Sequence, residues 1–198
     1  MKGLLIAIEG IDGAGKTTIA RHLIKFLSEK GYDCSLFKEP SESIYGDIIR
    51  KSKNRLEAEE ELRLFLLDRE IDVKERIKPA LERGKIVIMD RYYYSNIAYQ
   101  SARGLNSDEI RSMNERIAPK PDLVILLDLN PKIAMLRLKD RKDLTVFEQK
   151  DYLEKVRQKF LEIADEKTII INAEKNLEKV KEEVEKAVME LIEKRKLI

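Results

Sequence analysis

The nine residues Gly10-Ile11-Asp12-Gly13-Ala14-Gly15-Lys16-Thr17-Thr18 limit the folds open to this chain more than any other stretch. Three glycines followed by Lys and Thr suit a backbone that turns its N–H groups inward around an anion. The flanks agree with this reading. Residues 4–8 are an unbroken apolar run of the length a strand buried on both faces needs. Behind the loop, Ile19, Leu23, Ile24 and Leu27 recur at helical spacing until Gly31. Strand, glycine loop and helix together predict a phosphate site, with the positive end of the helix adding to the inward N–H groups. In that setting Lys16 reaches the terminal phosphates of a nucleoside triphosphate, and the Thr17 hydroxyl holds Mg²⁺.

Four further apolar runs follow at residues 34–37, 86–89, 123–127 and 168–171, separated by amphipathic helical stretches. The alternation predicts an α/β fold, a five-stranded parallel sheet with helices on both faces, in a single domain spanning residues 1–198. Ligands in such sheets bind beyond the carboxyl ends of the strands. Here those ends carry the phosphate loop, Lys38-Glu39-Pro40, Asp90-Arg91-Tyr92 and Asp128. Residues 38–83 form a connection much longer than one crossover helix requires, and they are expected to hold the acceptor. Residues 137–149 carry a dense cluster of charge and are expected to fold over the donor as a lid. The C-terminal helix, residues 175–195, repeats Val180, Val184, Val188 and Ile192 and is read as packing alone.

Composition removes several classes of function. With 39 Lys and Arg against 37 Asp and Glu, the chain lacks the basic excess of a general nucleic-acid binder. The first apolar run is broken by Glu9 and Asp12, which excludes a signal peptide, and no run reaches the ~18 apolar residues of a membrane span. Cys34 stands alone and is expected as a buried thiol, while His22 is expected at the surface. Charged residues make up 38% of the chain, which suits a thermophile's cytoplasm.

Among the polar residues at strand ends, Asp90 follows an apolar run and precedes Arg91, so it is expected to support Mg²⁺ while Arg91 bridges phosphates. Asp128 has the same setting but no such neighbour, and is expected to cap the next helix ahead of Pro131. Leu62, Phe65, Leu66, Val73, Ile77 and Leu81 line one face of a long helix. Phe65 and Arg69 lie one turn apart on it, so a ring and a fork of donors project together, and such a pair can stack a base and bond its carbonyl edge. Tyr99 and Gln100 follow Arg91 closely enough to join the same ligand.

Taken in order, Ile8-Glu9-Gly10 with Asp12 to Thr18, Lys38-Glu39-Pro40, Leu64-Phe65 with Arg69, Asp90-Arg91-Tyr92, Ser95, Ala98-Tyr99-Gln100 and Pro121-Asp122-Leu123 resemble thymidylate kinase. Phe147-Glu148 matches the end of that family's lid. The resemblance runs from about residue 3 into the C-terminal helix. It implies transfer of the γ-phosphoryl group of ATP to dTMP with Mg²⁺, in a homodimer. It further implies that Phe65 stacks on thymine and Arg69 bonds its ring. Lys38 and Arg91 would grip the acceptor phosphate, Asp12 would hold the sugar's 3′-hydroxyl or the acceptor end of the site, and Tyr99 and Gln100 would border sugar and base. Family members carry a catalytic arginine in the phosphate loop or in the lid. The loop position here is Gly13, which leaves Arg137 and Arg141, with Lys139 and Lys142 behind them.

The chain departs from the family pattern at Lys38, where arginine is usual, at Ser41-Glu42, where Gly-Gly is common, and at Thr145-Val146, where many relatives have Asp-Arg. Three alternatives stay open at this stage: a nucleoside monophosphate kinase of broader acceptor range, a deoxynucleoside kinase, and a slow ATPase acting as a switch or binding module. A hydroxyl acceptor would need a carboxylate base beside it, and a switch has no use for a second nucleotide segment.

Overall fold

A computed structural model describes residues 3–52, 56–138 and 146–196. Its centre is a parallel sheet in the order β2-β3-β1-β4-β5, made of β1 (Leu4–Glu9), β2 (Cys34–Lys38), β3 (Ile86–Asp90), β4 (Leu123–Asp128) and β5 (Thr168–Asn172). All five predicted strands are present, and every pairing is parallel. Strand β1 is buried along its whole length because β3 and β4 flank it and helices cover both faces, which is why its sequence shows no polar alternation. The chain passes from β1 to one edge of the sheet and crosses to the other side at β4. A crevice therefore opens at the carboxyl end of β1.

Helix α1 (Lys16–Glu29) starts inside the glycine loop and packs Ile19, Leu23 and Leu27 into the core. His22 on this helix bonds Glu185 at 2.5 Å, which ties α1 to α9 (Leu177–Lys196), so it is a half-exposed link between two helices. Cys34 is half-buried on the edge strand β2, and burial pushes its thiol up to about 11.

The connection from β2 to β3 holds α2 (Ile44–Lys51), α3 (Ala58–Asp72) and α4 (Lys78–Glu82), with a widened π turn over Val73–Ile77 between the last two. The single long helix predicted here is thus interrupted. Pro79 lies just beyond the π turn, and a proline ring clashes with the carbonyl four residues back; widening the turn makes room for it. Gly46 of α2 lies so near Ser41 that a Cβ would sit 2.0 Å from the Ser41 carbonyl oxygen, so only glycine lets α2 approach this loop.

Further along are α5 (Tyr93–Ser101), α6 (Ser107–Ile117), α7 (Pro131–Leu138) and α8 (Val146–Glu162). Asp128 does not cap α7. The Asn130 side chain does that, accepting the Lys132 N–H, while Asp128 receives a two-pronged ion pair from Arg157 of α8 at 2.6 and 2.8 Å. A carboxylate at the end of a strand can serve either purpose, and the packing of α8 against α7 brings the arginine within reach. Among the described residues no helix is long and apolar enough to cross a membrane.

Candidate active site

Two cavities open over the carboxyl ends of the strands. The larger, about 520 Å³, follows residues 12–19 and continues past Asp90 and Arg137 to Ala173, Leu177 and Val180. The smaller, about 240 Å³, is walled by Glu39, Phe65, Arg69, Asn96, Tyr99 and Gln100 among others. Asp12 and Arg91 belong to both walls, so the cavities meet at these two side chains.

The larger cavity is mainly a backbone construction. Gly10 has φ 139°, and a Cβ there would sit 2.5 Å from the Leu127 carbonyl oxygen, so glycine alone lets the loop leave β1 beside β4. Lys16 is 6% exposed and donates to the carbonyl oxygens of Gly10 and Ile11 at 2.9 and 2.7 Å. Burial, followed by the nearby Arg91 charge, lowers its ammonium to about 7 against the opposing pull of Asp12, Glu9 and Asp90. An arriving polyphosphate would reverse that balance. The Thr17 hydroxyl donates to Asp90 Oδ2 at 2.6 Å, and the Lys38 ammonium stands 3.8 Å from the same oxygen.

Lys38 borders this larger cavity and is absent from the wall of the smaller one. The exposed end of β2 carries it toward Asp90, next to it in the sheet register. Arg137 is spread over the loop, donating to the carbonyl oxygens of Gly13 at 3.2 Å and Ala173 at 3.1 Å. The start of the C-terminal helix, read from sequence as packing alone, contributes Leu177 and Val180 to the cavity wall. Arg141, Lys139, Lys142 and Thr145 lie outside the described residues, as do the side chains of Phe147 and Glu148.

Arg91 holds the junction. Its backbone is left-handed, with φ 72°, which is uncommon outside glycine and indicates a conformation imposed by its surroundings. Its guanidinium bonds the Ser95 hydroxyl at 3.1 Å and the Asp12 carboxylate, and lies 5.3 Å from the Tyr99 ring centre. Burial works against its charge, but Tyr99, Asp12 and Glu9 outweigh that and raise its pKa. Tyr99 in turn accepts from the Asp12 N–H at 3.1 Å and donates to its carboxylate at 3.2 Å. Beneath them Glu9, fully buried, accepts the N–H groups of Tyr92 at 2.8 Å and Ser95 at 3.2 Å and the Ser95 hydroxyl at 2.5 Å. Helix α5 has no side-chain cap of its own, so a carboxylate from β1 supplies one. Burial raises the Glu9 pKa even so.

The smaller cavity is made of side chains. Phe65, Arg69, Arg91, Tyr99 and Gln100, each expected from sequence, are brought together here. Arg69 is 1% exposed and gives Nε and Nη2 to both oxygens of Glu39, and Nη1 to Asn96 at 3.3 Å and to Asn114. Of five N–H donors this leaves one Nη2 hydrogen without a partner among the described residues. Next to it on α3, Asp68 accepts the Ser41 N–H at 2.8 Å and the hydroxyls of Ser41 and Ser43 at 2.5 and 2.6 Å, which fastens the loop after β2. Ser41 thus forms part of a closed network.

Sequence reasoning missed Glu9, Glu39, Glu61 and Asn96. Glu39 sits in the Lys38-Glu39-Pro40 run and Asn96 directly after Ser95, but nothing local marks them as partners of Arg69. Two buried atoms of this wall, Asn96 Nδ2 and Gln100 Oε1, have no hydrogen-bond partner among the described residues. Unpaired groups of this kind cost roughly 1–3 kcal/mol each until a ligand meets them.

A phosphate loop and a second pocket joined by an arginine define a phosphotransferase that brings two anionic ligands end to end. Comparison with known proteins sharpens this. The thymidylate kinase family profile matches residues 8–184. A probable thymidylate kinase of Archaeoglobus fulgidus is 60% identical, over 93% of this chain and 94% of the relative. A probable thymidylate kinase of Thermococcus gammatolerans is 42% identical, over 92% of this chain and 94% of the relative. A thymidylate kinase of Xanthomonas campestris pv. campestris is 48% identical, over 80% of this chain and 70% of the relative. The chain belongs to the thymidylate kinase family.

Proposed function

We propose that this enzyme transfers the γ-phosphoryl group of ATP to the phosphate of dTMP, giving dTDP and ADP. The observation that carries the proposal is the meeting of a phosphate-loop cavity and a side-chain cavity at Asp12 and Arg91. An acceptor that is already a phosphate needs alignment and cancellation of charge, with no general base. The loop from Gly10 to Thr18 takes the triphosphate, with Lys16 on the β- and γ-phosphates. Thr17 and Asp90 offer the hard oxygen donors Mg²⁺ prefers, and their direct bond brings both to one spot. Mg²⁺, when bound, offsets phosphate charge there. Arg91 steadies the acceptor phosphate, Phe65 faces the base, and Tyr99 and Asp12 border the sugar.

Thymine presents an N3–H between two carbonyl groups. The unpaired Gln100 Oε1 suits that N–H, and the unpaired Asn96 Nδ2 suits a carbonyl, as does the second hydrogen of Arg69 Nη2, whose first goes to Glu39. Arg137 and Arg141 are the candidates for the arginine that meets the transferring group, and the two carbonyl oxygens that Arg137 already serves favour Arg141. Residues 1–198 act as one domain, with 38–83 serving the acceptor and 137–149 the lid. We further take the enzyme to be a cytoplasmic homodimer; exposed Ile44 and Ile48 on α2 and Met113 on α6 give apolar surface to such an association.

A coupled assay with ATP, Mg²⁺ and a panel of dTMP, dUMP, dCMP, dGMP and AMP tests the reading. The expected order has dTMP first. dUMP should follow within the ~1–3 kcal/mol that one methyl group in an apolar pocket is worth. No diphosphate from any pyrimidine deoxynucleotide would end the proposal.

A further inference from the structure

We infer that Glu61 and Arg103 are positioning residues that set which pyrimidine the acceptor cavity takes, by locking the Gln100 amide in one of its two orientations. The inference rests on the acceptor reading above. A glutamine amide has a donor end and an acceptor end of nearly the same shape, and rotating it by half a turn exchanges them. Left free, Gln100 would offer oxygen to the N3–H of a uracil-type ring or NH₂ to the bare N3 of cytosine. It would then discriminate weakly.

Gln100 is not free. Its Nε2 donates to Glu61 Oε2 at 2.8 Å. A carboxylate only accepts, so the flipped amide would set oxygen against oxygen and leave Nε2 without that partner. The orientation follows from the chemistry of the neighbour. Arg103 holds the carboxylate in turn: Nη1 donates to the same Oε2 at 2.8 Å and Nη2 to the Leu56 carbonyl oxygen. The Arg103 N–H bonds the Gln100 carbonyl oxygen at 3.0 Å, so both residues belong to one turn at the end of α5, while Glu61 arrives from α3. Both ion-pair side chains are more than four-fifths buried.

Asn96 is locked in the opposite sense. Its Oδ1 accepts from Arg69 at 3.3 Å and from Asn114 Nδ2 at 3.2 Å, and arginine cannot accept, so Nδ2 is the end left over. The wall therefore holds one fixed acceptor and one fixed donor. They match an imide, whose N–H lies beside carbonyl groups, and oppose cytosine, whose N3 accepts and whose amino group donates.

The test compares kcat/KM for dTMP and dCMP in the wild type, Glu61→Gln, Arg103→Met and Gln100→Ala, with the KM for ATP and the melting temperature measured alongside. In Glu61→Gln the carboxylate becomes an amide, which can donate as well as accept, so the lock is released. The dTMP-to-dCMP ratio should fall at least about tenfold, through gained dCMP turnover, with the ATP KM unchanged. Arg103→Met should shift the ratio the same way by a smaller factor, and decides the matter if Glu61→Gln does not fold. A wild-type ratio in both variants overturns the lock. If Gln100→Ala lowers the ratio in that same experiment, the acceptor reading survives the loss of the lock. If Gln100→Ala also leaves the ratio unchanged, Gln100 does not read the base and the lock falls with that assignment, while turnover of dTMP by the wild type still upholds the acceptor reading.

Discussion

The donor cavity is built around one continuous stretch, residues 12–19, with Lys38, Asp90, Arg137 and residues of the C-terminal region at its margins, whereas the acceptor cavity draws most of its wall from the loop after β2, from α3 and from α5. In the first, most groups aimed at the ligand belong to the backbone, and glycines permit their geometry. In the second they are side chains held by other side chains: Arg69 by Glu39, Asn96 and Asn114, and Gln100 by Glu61. A backbone site has its own conformation to sustain it. A side-chain site lasts only while every partner stays in position, so damage should spread further on the acceptor side.

The largest effect expected is on stability, from the acceptor side. Glu39→Gln leaves the Arg69 charge buried and uncompensated, which costs ~3–5 kcal/mol. Denaturant unfolding should show this, and pairing Glu39→Leu with Arg69→Met should recover most of the stability while abolishing dTMP binding. A loss below about 1 kcal/mol would mean that the pair is not the tie it is taken to be. Next in size is the junction. Arg91→Ala should lower turnover by ~10²–10³, the range for removing one preorganised donor to developing charge. ATP binding followed by calorimetry should stay within a few-fold.

Removing the lid arginine should act on rate alone. Arg141→Ala is expected to reduce turnover by at least about a hundredfold with little change in dTMP affinity. Near-normal turnover in Arg141→Ala, Arg137→Ala and the double variant together would remove the lid from the chemistry. The smallest effect concerns protons. Lys16 falls from 10.5 to about 7 in the free protein, so between those values the folded chain binds fewer protons than the unfolded one. Its contribution to stability is therefore complete above the unfolded value and lost as pH drops through about 7. ATP restores the charge, so binding near pH ~8.5 should take up close to one proton, and affinity should weaken as pH rises above about 7. Calorimetry in buffers of different ionisation enthalpy measures that uptake. Lys16→Arg, which cannot lose its proton, should abolish it; unchanged uptake there would refute the assignment.

Residues 10–18 and the five apolar runs were sufficient to read strand, loop, helix and parallel sheet, because backbone conformation and burial leave local marks on a sequence. Phe65, Arg69, Arg91, Tyr99 and Gln100 could be read together through a family pattern, and they do share a wall. What could not be read was which carboxylate holds which partner. Asp90 and Asp128 look alike, yet one bonds Thr17 and the other Arg157. Glu9 looks like a break in an apolar strand and is the cap of α5. Glu61 is one of four glutamates within five residues, and it alone of them borders the acceptor cavity.

The sequence by itself therefore determined the kind of sheet and the place of the glycine loop at the end of its first strand, since period, glycine and proline act over a few residues. Tertiary structure decided how the acceptor side is held and which end of each amide is left over. A hydrogen bond between residues 39 apart, such as Gln100 to Glu61, depends on where α3 and α5 come to rest against each other, and neither sequence carries that position alone.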